Sequence, residues 1–557
     1  MGRLPTIPNG RLRQVLLGWL LAGSAGWALM VALAVYAFDR SGATALGLIT
    51  AARLLPATAV APLTGALLDR FPRQRVAGAA CITEAIAIAG IALLMANGVS
   101  LWAIGATAAL SCSAATAHRP GLEALLPGLA DTPEELTVAT AGWSAADSVG
   151  FLLGSGIGGI TLATLGPSKL VAAAAATCAL AGLLILRIPG HKDAGADLAG
   201  GADLAGGADV EPGEEAGEEA GGLTELLAGI RTVFRSPLLR VPFVLFAGLL
   251  LLEGSTDVQL VALAIGSLHM GHGGPGLLYL VWGAAGVASS ATLLWVVRRR
   301  GYGLALALGA TVFGGGLVIS GVGDVPLALL AMVPAGIGFS LIEAAVMGIV
   351  PRLADDQVVG RVYAVSELLY GGAYAIGALA VPPLIAAAGA GGSLVIVGAV
   401  YGVCGLGAWG FGRRLDANEG RAARIRALLR GVPFLAPLPL PRLERLVRAA
   451  RPVTLAYGEA AVRAGEHGDQ FYVIDTGEVE IEEFGRTQGP GTGFGEIALL
   501  RNVPRTATVR ARGDVRLWAI GRSTFLAAVS EHGDARQRAD ATVDEHLARD
   551  QVTSGAP

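Results

Sequence analysis

The chain has 557 residues, of which 53% are apolar, and its formal net charge is −3. Soluble proteins of this length are seldom so apolar, so the composition indicates a membrane protein. Proteins that bind nucleic acid usually carry an excess of basic residues, which this chain lacks, so we expect no nucleic-acid partner.

Long apolar runs repeat along roughly the first 415 residues. Each run has about 20 residues and can cross the hydrocarbon core of a lipid bilayer as a helix. We therefore predict an all-α polytopic membrane protein with twelve transmembrane helices. The predicted spans are 14–37, 44–68, 76–96, 100–118, 137–163, 167–187, 241–265, 276–297, 302–321, 325–349, 359–387 and 391–411.

The placement of arginine predicts the orientation, because cytoplasmic loops carry an excess of Lys and Arg. Arginines precede the first predicted span and follow even-numbered spans, whereas the opposite loops hold little beyond Arg40 and Lys169. This pattern puts both termini in the cytoplasm. The residues that carry it are Arg3, Arg11, Arg13, Arg70, Arg73, Arg75, Arg119, Arg298, Arg299, Arg300, Arg352, Arg413 and Arg414.

A low-complexity segment at 193–222 joins the sixth and seventh spans. Its Ala/Gly-rich repeats and acidic run cannot bury enough apolar surface to order, so we predict a disordered linker. The linker divides the membrane part into an N-terminal six-helix half at 1–192 and a C-terminal half at 223–415. Leu223 to Arg240 has the pattern of an amphipathic helix at the cytoplasmic surface.

The two halves contain similar short sequences. Leu-Pro-Gly-Leu-Ala-Asp at Leu126–Asp131 returns as Val-Pro-Arg-Leu-Ala-Asp at Val350–Asp355. Each copy follows the fourth span of its half and precedes a Gly-rich fifth span. Repeated halves are typical of transporters that bind substrate between them, near the middle of the membrane.

Ionisable side chains inside the predicted spans are candidates for transport, because charge in lipid is costly and is seldom kept without a function. Asp147 and Glu367 occupy similar places in the two halves, and either could carry a proton. Pairing at a gate, or snorkelling from a helix end, is the alternative for each residue. The candidates are Arg53, Glu84, Asp147, Glu253, Asp257, Glu343 and Glu367.

No spacing typical of metal ligands or catalytic groups stands out. The four cysteines are scattered through the spans, and His269 and His272 share a loop. The run Gly154–Gly159 matches G-x-G-x-x-G, but it lies within an apolar span and lacks an acidic partner, so we reject dinucleotide binding. Small residues there instead let helices approach closely. We therefore expect no metal, no cofactor and no enzymatic activity.

The run from Phe494 to Val509 indicates a ligand site. A Gly-Glu-Ile-Ala turn and a short helix are followed by Arg505, whose fork can hold a phosphate. Glu496 can accept hydrogen bonds from sugar hydroxyls. One anion, one sugar and an apolar wall describe a cyclic nucleotide. The predicted site consists of Gly495, Glu496, Ile497, Ala498, Arg505, Thr506 and Ala507.

Strand patterns precede this run. Apolar residues alternate on both sides of a Gly477-Glu478 turn, as half-buried strands do. We therefore predict an α+β domain at 431–557 that ends in a helix, preceded by an Arg-rich coupling helix at 416–430. The alternating residues are Phe471, Val473, Val479 and Ile481.

Phe494–Val509 resembles the phosphate-binding cassette of the cyclic nucleotide-binding domain family, of the type found in the catabolite activator and in protein kinase regulatory subunits. Phe434–Pro439 resembles the helix that leads into this domain, and Phe471–Ile481 resembles its central hairpin. The resemblance implies a β-roll that binds cyclic AMP or cyclic GMP as a regulatory ligand. We favour cyclic AMP, with Thr506 contacting the phosphate. A β-roll of this class without its ligand is the alternative.

Residues from about 10 to 415 resemble the major facilitator superfamily. Gly65–Arg75 resembles its signature loop, which implies that Asp69 holds the cytoplasmic gate and that Arg70 and Arg73 pair nearby. Gly154–Gly159 resembles the fifth-helix motif of proton-coupled exporters. The chain as a whole is similar to the actinobacterial drug-exporter-like branch, which implies a bacterial plasma-membrane protein.

Together these patterns predict a secondary active transporter that exports a small organic molecule by proton antiport. A cyclic nucleotide bound to the cytoplasmic C-terminal domain would regulate it. A membrane-anchored nucleotide receptor without transport is the alternative. A nucleotide-gated channel is disfavoured, because the sequence has no Thr-Val-Gly-Tyr-Gly filter.

Overall fold

The computed structural model describes residues 9–130, 132–188, 237–289, 295–297, 299, 301–353, 359–530 and 536–544. Contacts between residues divide the chain into two units, Met1–Gly412 and Arg413–Pro557. The predicted linker at 193–222 lies outside the described residues, as does the predicted surface helix from Leu223 as far as Ser236.

Helices build the first unit. In chain order they are α1 (Gly10–Arg70), α2 (Arg73–Ala96), α3 (Leu101–Glu123), α4 (Leu126–Leu129), α5 (Pro133–Phe151), α6 (Gly158–Leu165), α7 (Pro167–Leu186), α8 (Pro237–Ala262), α9 (Gly274–Ala288), α10 (Tyr302–Val322), α11 (Val325–Leu353) and α12 (Val359–Gly431). Short π-helical turns at Leu152–Ile157 and Leu263–Ser267 follow α5 and α8. The last helix, α12, ends in the second unit.

Within the described residues, eight helices are long and apolar enough to cross a membrane. Two of the longest contain breaks. Ser41 and Gly42 depart from helical geometry in α1, and Gly389, with φ of 72°, interrupts α12. The breaks fall between the first and second predicted spans and between the eleventh and twelfth. The polytopic helical class is confirmed, whereas the number of twelve spans stays a prediction.

The glycine run Gly154–Gly159 lies where helices cross at very short range. A Cβ atom added at Gly159 would overlap the backbone of Gly276 in α9, and one at Gly156 would come within 2.6 Å of the Leu280 side chain. Only glycine permits this backbone-to-backbone approach. The prediction that small residues serve helix packing here is therefore confirmed.

We expect Gly159→Ala to destabilise the membrane unit, because the added methyl group must push α6 and α9 apart. Overpacking of this kind costs about 1–3 kcal/mol in proteins. Gly315→Ala is the matched control, since a Cβ atom there meets nothing within 4 Å. Thermal unfolding of the purified full-length protein should show a lower midpoint for Gly159→Ala only. Equal midpoints for the two variants would contradict the close crossing.

Two antiparallel sheets form the second unit, and each has four strands. One sheet has the order β1-β8-β3-β6 and the other β2-β7-β4-β5. The strands are β1 (Arg451–Leu455), β2 (Ala460–Val462), β3 (Gln470–Thr476), β4 (Val479–Ile481), β5 (Arg486–Gln488), β6 (Gly493–Phe494), β7 (Val509–Ala511) and β8 (Val515–Gly521). Helices α13 (Leu440–Ala449), α14 (Glu496–Leu500) and α15 (Arg522–Ser530) accompany them. The predicted α+β class of this part is confirmed.

The predicted central hairpin is wrong. Strands β3 and β4 lie in different sheets, and β3 pairs with β6 and β8 instead. Strand β3 also does not alternate, because both of its faces are buried. Phe471 and Val473 pack with the helices, whereas Tyr472 and Ile474 pack between the sheets.

Phe434–Pro439 forms turns instead of the predicted helix. Prolines cannot donate backbone hydrogen bonds and restrict the residue before them, so the prolines in this run oppose a helix. The segment instead contributes a side chain to the apolar core, because the Phe434 ring packs against Phe471 and Phe525 at centroid distances of 5.8 and 6.1 Å. Helix α13 begins immediately after Pro439.

The segment 416–430, predicted to couple the two parts of the chain, is the end of α12. Its residues Ile425 and Leu429 are buried in the helical core of the second unit. The Nε atom of Arg424 donates to the Asp475 carboxylate in β3 at 2.5 Å. This segment is therefore anchored to the β-roll by apolar and charged contacts.

Candidate functional site

The predicted nucleotide site begins at a glycine with left-handed geometry. Gly495 has φ of 92° and immediately precedes α14. A Cβ atom at this position would collide with the Nη1 atom of Arg505. Both the backbone angle and the missing side chain are therefore required, and glycine alone meets both conditions.

Arg505 lies in the loop between α14 and β7, with only 5% of its surface exposed. Its Nη1 and Nη2 atoms donate to the backbone carbonyls of Gly495, at 3.0 Å, and of Gln470, at 2.7 Å. The backbone amide of Arg505 donates to the Glu466 carbonyl at 2.8 Å. The guanidinium carbon lies 5.9 Å from the centre of the Tyr472 ring. The cation is thus held in one orientation before any ligand binds.

The buried Arg505 guanidinium dominates the electrostatics of the site. Burial lowers the pKa of Arg505, and the surrounding Tyr472, Asp469 and Glu496 oppose that change. Burial also raises the pKa of Tyr472, while Arg505 opposes it. A guanidinium remains charged in proteins, and a buried charge is costly unless it meets a partner of opposite sign. A phosphate that reaches Arg505 would supply such a partner.

One pocket brings together every residue of the predicted site. It is lined by Gly495, Glu496, Ile497, Ala498, Arg505, Thr506 and Ala507, and in addition by Val462, Ile481, Phe484, Arg486, Gln488, Gly493, Phe494 and Val509. The additional residues include the apolar wall expected from the sequence. They come from β2, from β6 and β7, and from β4 and β5 with their connection. Which ligand the pocket holds stays a prediction.

A second pocket lies inside the membrane unit, and it contains two of the predicted transport residues. Arg53 comes from α1, and Asp257 comes from α8. The Asp257 carboxylate accepts hydrogen bonds from the hydroxyl groups of Tyr279 in α9, at 2.9 Å, and of Tyr374 in α12. Sequence reasoning missed both tyrosines, because it searched the spans for charged side chains only.

Glu84 and Asp147 lie elsewhere in the membrane unit. The Glu84 carboxylate pairs with the Nδ1 atom of His118 at 3.2 Å, and both side chains are almost completely buried. His118 was also missed, since it lies at the end of a predicted span. Asp147 is half-buried in α5 and interacts electrostatically with Arg119 and Glu343.

The predicted gate is described only in part. Arg70 is exposed, and the Nη1 atom of Arg73 donates to the backbone carbonyl of Ala124 at 3.3 Å. The side chains of Asp69 and Glu367 lie outside the described residues. Their roles therefore stay predictions.

Known families match both parts of the chain. The family model described as Major Facilitator Superfamily matches residues 15–378, and the one described as Cyclic nucleotide-binding domain matches residues 452–532. The cAMP-dependent protein kinase regulatory subunit of Blastocladiella emersonii is 32% identical over 132 residues, which are 22% of this chain and 33% of the relative. The chain thus spans about a third of the length of this curated relative.

Solved transporters share the fold of the membrane part. The nucleoside transporter NupG has a TM-score of 0.55 at 12% identity, with 72% of this chain and 98% of that chain covered. A POT family transporter in complex with 5-aminolevulinic acid has a TM-score of 0.56 at 14% identity, with 73% and 96% covered. The chain belongs to the Major Facilitator Superfamily, and it carries a cyclic nucleotide-binding domain on the C-terminal side of its membrane helices.

Proposed function

We propose that this chain is a secondary active transporter whose rate is set by a cyclic nucleotide bound to its C-terminal domain. The buried, oriented guanidinium of Arg505 is the observation that supports nucleotide binding most strongly. The family of the membrane part supports transport. Membership of this transporter family also supports a protein without enzymatic activity.

The proposed ligand is cyclic AMP, with cyclic GMP as the alternative. The name of the curated relative, a cAMP-dependent kinase subunit, supports this choice. Thr506 lines the pocket directly after Arg505, where its hydroxyl group can add a bond to the phosphate. Titration of the full-length protein with each nucleotide measures the preference.

The proposed transporter has twelve spans in two repeated halves, with both termini in the cytoplasm of a bacterial cell and the spans in the plasma membrane. The breaks at Ser41, Gly42 and Gly389 support this number, because each can turn one long helix into two spans. Asp69, Arg70 and Arg73 would form the cytoplasmic gate. Export of a small organic molecule in exchange for protons is the proposed direction and coupling.

Nucleotide binding can change the rate only if the two transport states bind the nucleotide with different affinity. The segment 416–430 is the proposed connection, supported by the packing of Ile425 and Leu429 and by the Arg424–Asp475 pair. Coupling free energies of this kind are typically 1–3 kcal/mol, or about 5-fold to 150-fold in an equilibrium constant.

Flux of a panel of small organic compounds, measured in proteoliposomes with and without cyclic AMP on the cytoplasmic face, tests the proposal. We expect cyclic AMP to change the rate. Arg424→Gln should keep nucleotide binding but lose the effect on flux, because it breaks the contact with β3. Arg512→Gln is the control, since its contacts with Glu480 and Thr487 lie in the β-roll, at 3.3 and 3.2 Å.

Three results would each contradict a part of the proposal. Nucleotide binding without flux of any compound would favour the membrane-anchored receptor. Flux that ignores cyclic AMP would leave a transporter without nucleotide control. A full response to cyclic AMP in Arg424→Gln would move the coupling away from 416–430.

A further inference from the structure

The pocket of the membrane unit contains one cation and one anion. Arg53 lies in α1 beyond the break at Ser41 and Gly42, and Asp257 lies near the end of α8. The other lining residues are uncharged, and the polar ones among them are Thr50, Tyr279 and Tyr374. The formal charge of the lining is therefore zero, and most of the wall is apolar.

Asp257 is held in place and retains binding capacity. One carboxylate oxygen accepts from Tyr279, and the other accepts from Tyr374. An ionised carboxylate has about four lone-pair sites, so each oxygen can accept a further donor. An ammonium group, which offers three N–H donors, suits the remaining sites.

Arg53 lines the same pocket and has a side-chain donor without a partner in the described part of the chain. Its Nε atom is buried, and it has no hydrogen-bond acceptor among the residues that the structure describes. A buried donor without an acceptor is costly, and an arginine fork matches a carboxylate in two parallel bonds. A ligand carboxylate would satisfy this donor.

The balance of charge selects the ligand class. A ligand with a single charge would leave a net charge in an apolar pocket within the membrane, which is unfavourable. A ligand with one charge of each sign leaves the pocket neutral and satisfies both Arg53 and Asp257. We propose that this pocket binds a small zwitterion, with its carboxylate on Arg53 and its ammonium group on Asp257. This inference rests on the proposed transport function and names its substrate class.

Thermal unfolding of the purified full-length protein in detergent tests it. The probes are unbranched amino acids with a terminal amine, from glycine to 5-aminopentanoic acid, each compared with the carboxylate and the amine of equal length. A ligand that binds only the folded state raises the unfolding midpoint. Once the ligand concentration exceeds Kd, the rise grows with the logarithm of that concentration. We expect at least one amino acid to raise the midpoint, and its matched carboxylate and amine to leave it unchanged.

Variants assign the effect to the pocket. Arg53→Gln and Asp257→Asn should each abolish the rise caused by the amino acid. Arg40→Gln and Asp324→Asn are the controls and should keep it. Arg40 contacts the Gly98 carbonyl at 3.4 Å, and Asp324 caps the amide of Leu327 at 3.1 Å, both outside the pocket. Stabilisation by cyclic AMP, read in the same samples, checks that each variant is folded.

Three outcomes would overturn the inference: a matched carboxylate that stabilises as well as the amino acid, a probe series without any effect, or a rise that survives Arg53→Gln.

Failure of the proposed transport function would give different results. A stabilising amino acid that is never transported in proteoliposomes would refute transport and leave the binding site intact. Flux of compounds without charge, with no amino acid bound, would refute the site and leave transport intact.

Discussion

The Arg505→Ala variant is expected to bind cyclic AMP about 30-fold to 5,000-fold more weakly than the unchanged protein. Truncating one partner of a buried, hydrogen-bonded charge pair costs roughly 2–5 kcal/mol. We expect a large loss of affinity because two backbone carbonyls already hold the guanidinium in place. Ligand binding therefore costs little further conformational entropy in this side chain. Calorimetric titration of the full-length protein measures it.

Two further variants separate the role of Arg505 in binding from its role in the fold. Arg505→Lys keeps the charge but not the fork, so we expect an intermediate loss of affinity. Arg512→Ala removes an exposed arginine of the same β-roll and should leave the affinity unchanged. Equal affinity in Arg505→Ala and in the unchanged protein would show that the phosphate lies elsewhere.

Replacing the proposed proton carriers is expected to abolish the part of the flux that an imposed pH gradient drives. A carboxylate in a water-poor site can take up a proton on one side and release it after the site opens to the other. Asp147 is half-buried in α5, where it interacts electrostatically with the cation Arg119. Glu367 is predicted from the sequence to occupy the corresponding place in the second of the two proposed halves.

Proteoliposomes with an acidic or alkaline interior provide the measurement. Asp147→Asn and Glu367→Gln are tested singly and together, and Asp324→Asn controls for an exposed acid that caps a helix. We expect at least one of the two variants to lose the response to the gradient. Flux that follows the gradient in the double variant would shift the carrier role to Glu84 and its partner His118.

The pocket around Arg505 was predictable because the residues predicted to line it lie within one short stretch of chain. Gly495, Glu496 and Arg505 are close in sequence, and the turn that joins them needs a glycine that the sequence displays. The hairpin prediction failed because strand pairing is not local. Strand β3 finds its partners in β6 and β8, and the alternation of Phe471 and Val473 is hidden by a second apolar face.

The same limit applies to the membrane part. The class of fold follows from the long apolar runs, which need no knowledge of contacts. The partners of Asp257 do not, since Tyr374 lies 117 positions away along the chain. Tyrosine is also common in spans without a special role, so nothing in the sequence separates Tyr279 or Tyr374 from other aromatic residues. His118 shows its significance only through the distance of 3.2 Å to Glu84.

Strand β3 separates two interiors, and this makes the domain sensitive to parity. Phe471 and Val473 belong to the interior shared with the helices, whereas Tyr472 and Ile474 belong to the interior between the sheets. Because side chains alternate along a strand, inserting one residue would exchange the two sets between interiors of different shape. An insertion of two would return each set to its own side. We therefore expect this strand to tolerate insertions of two residues better than insertions of one. In a strand with one solvated face, a one-residue insertion would instead move apolar side chains into water.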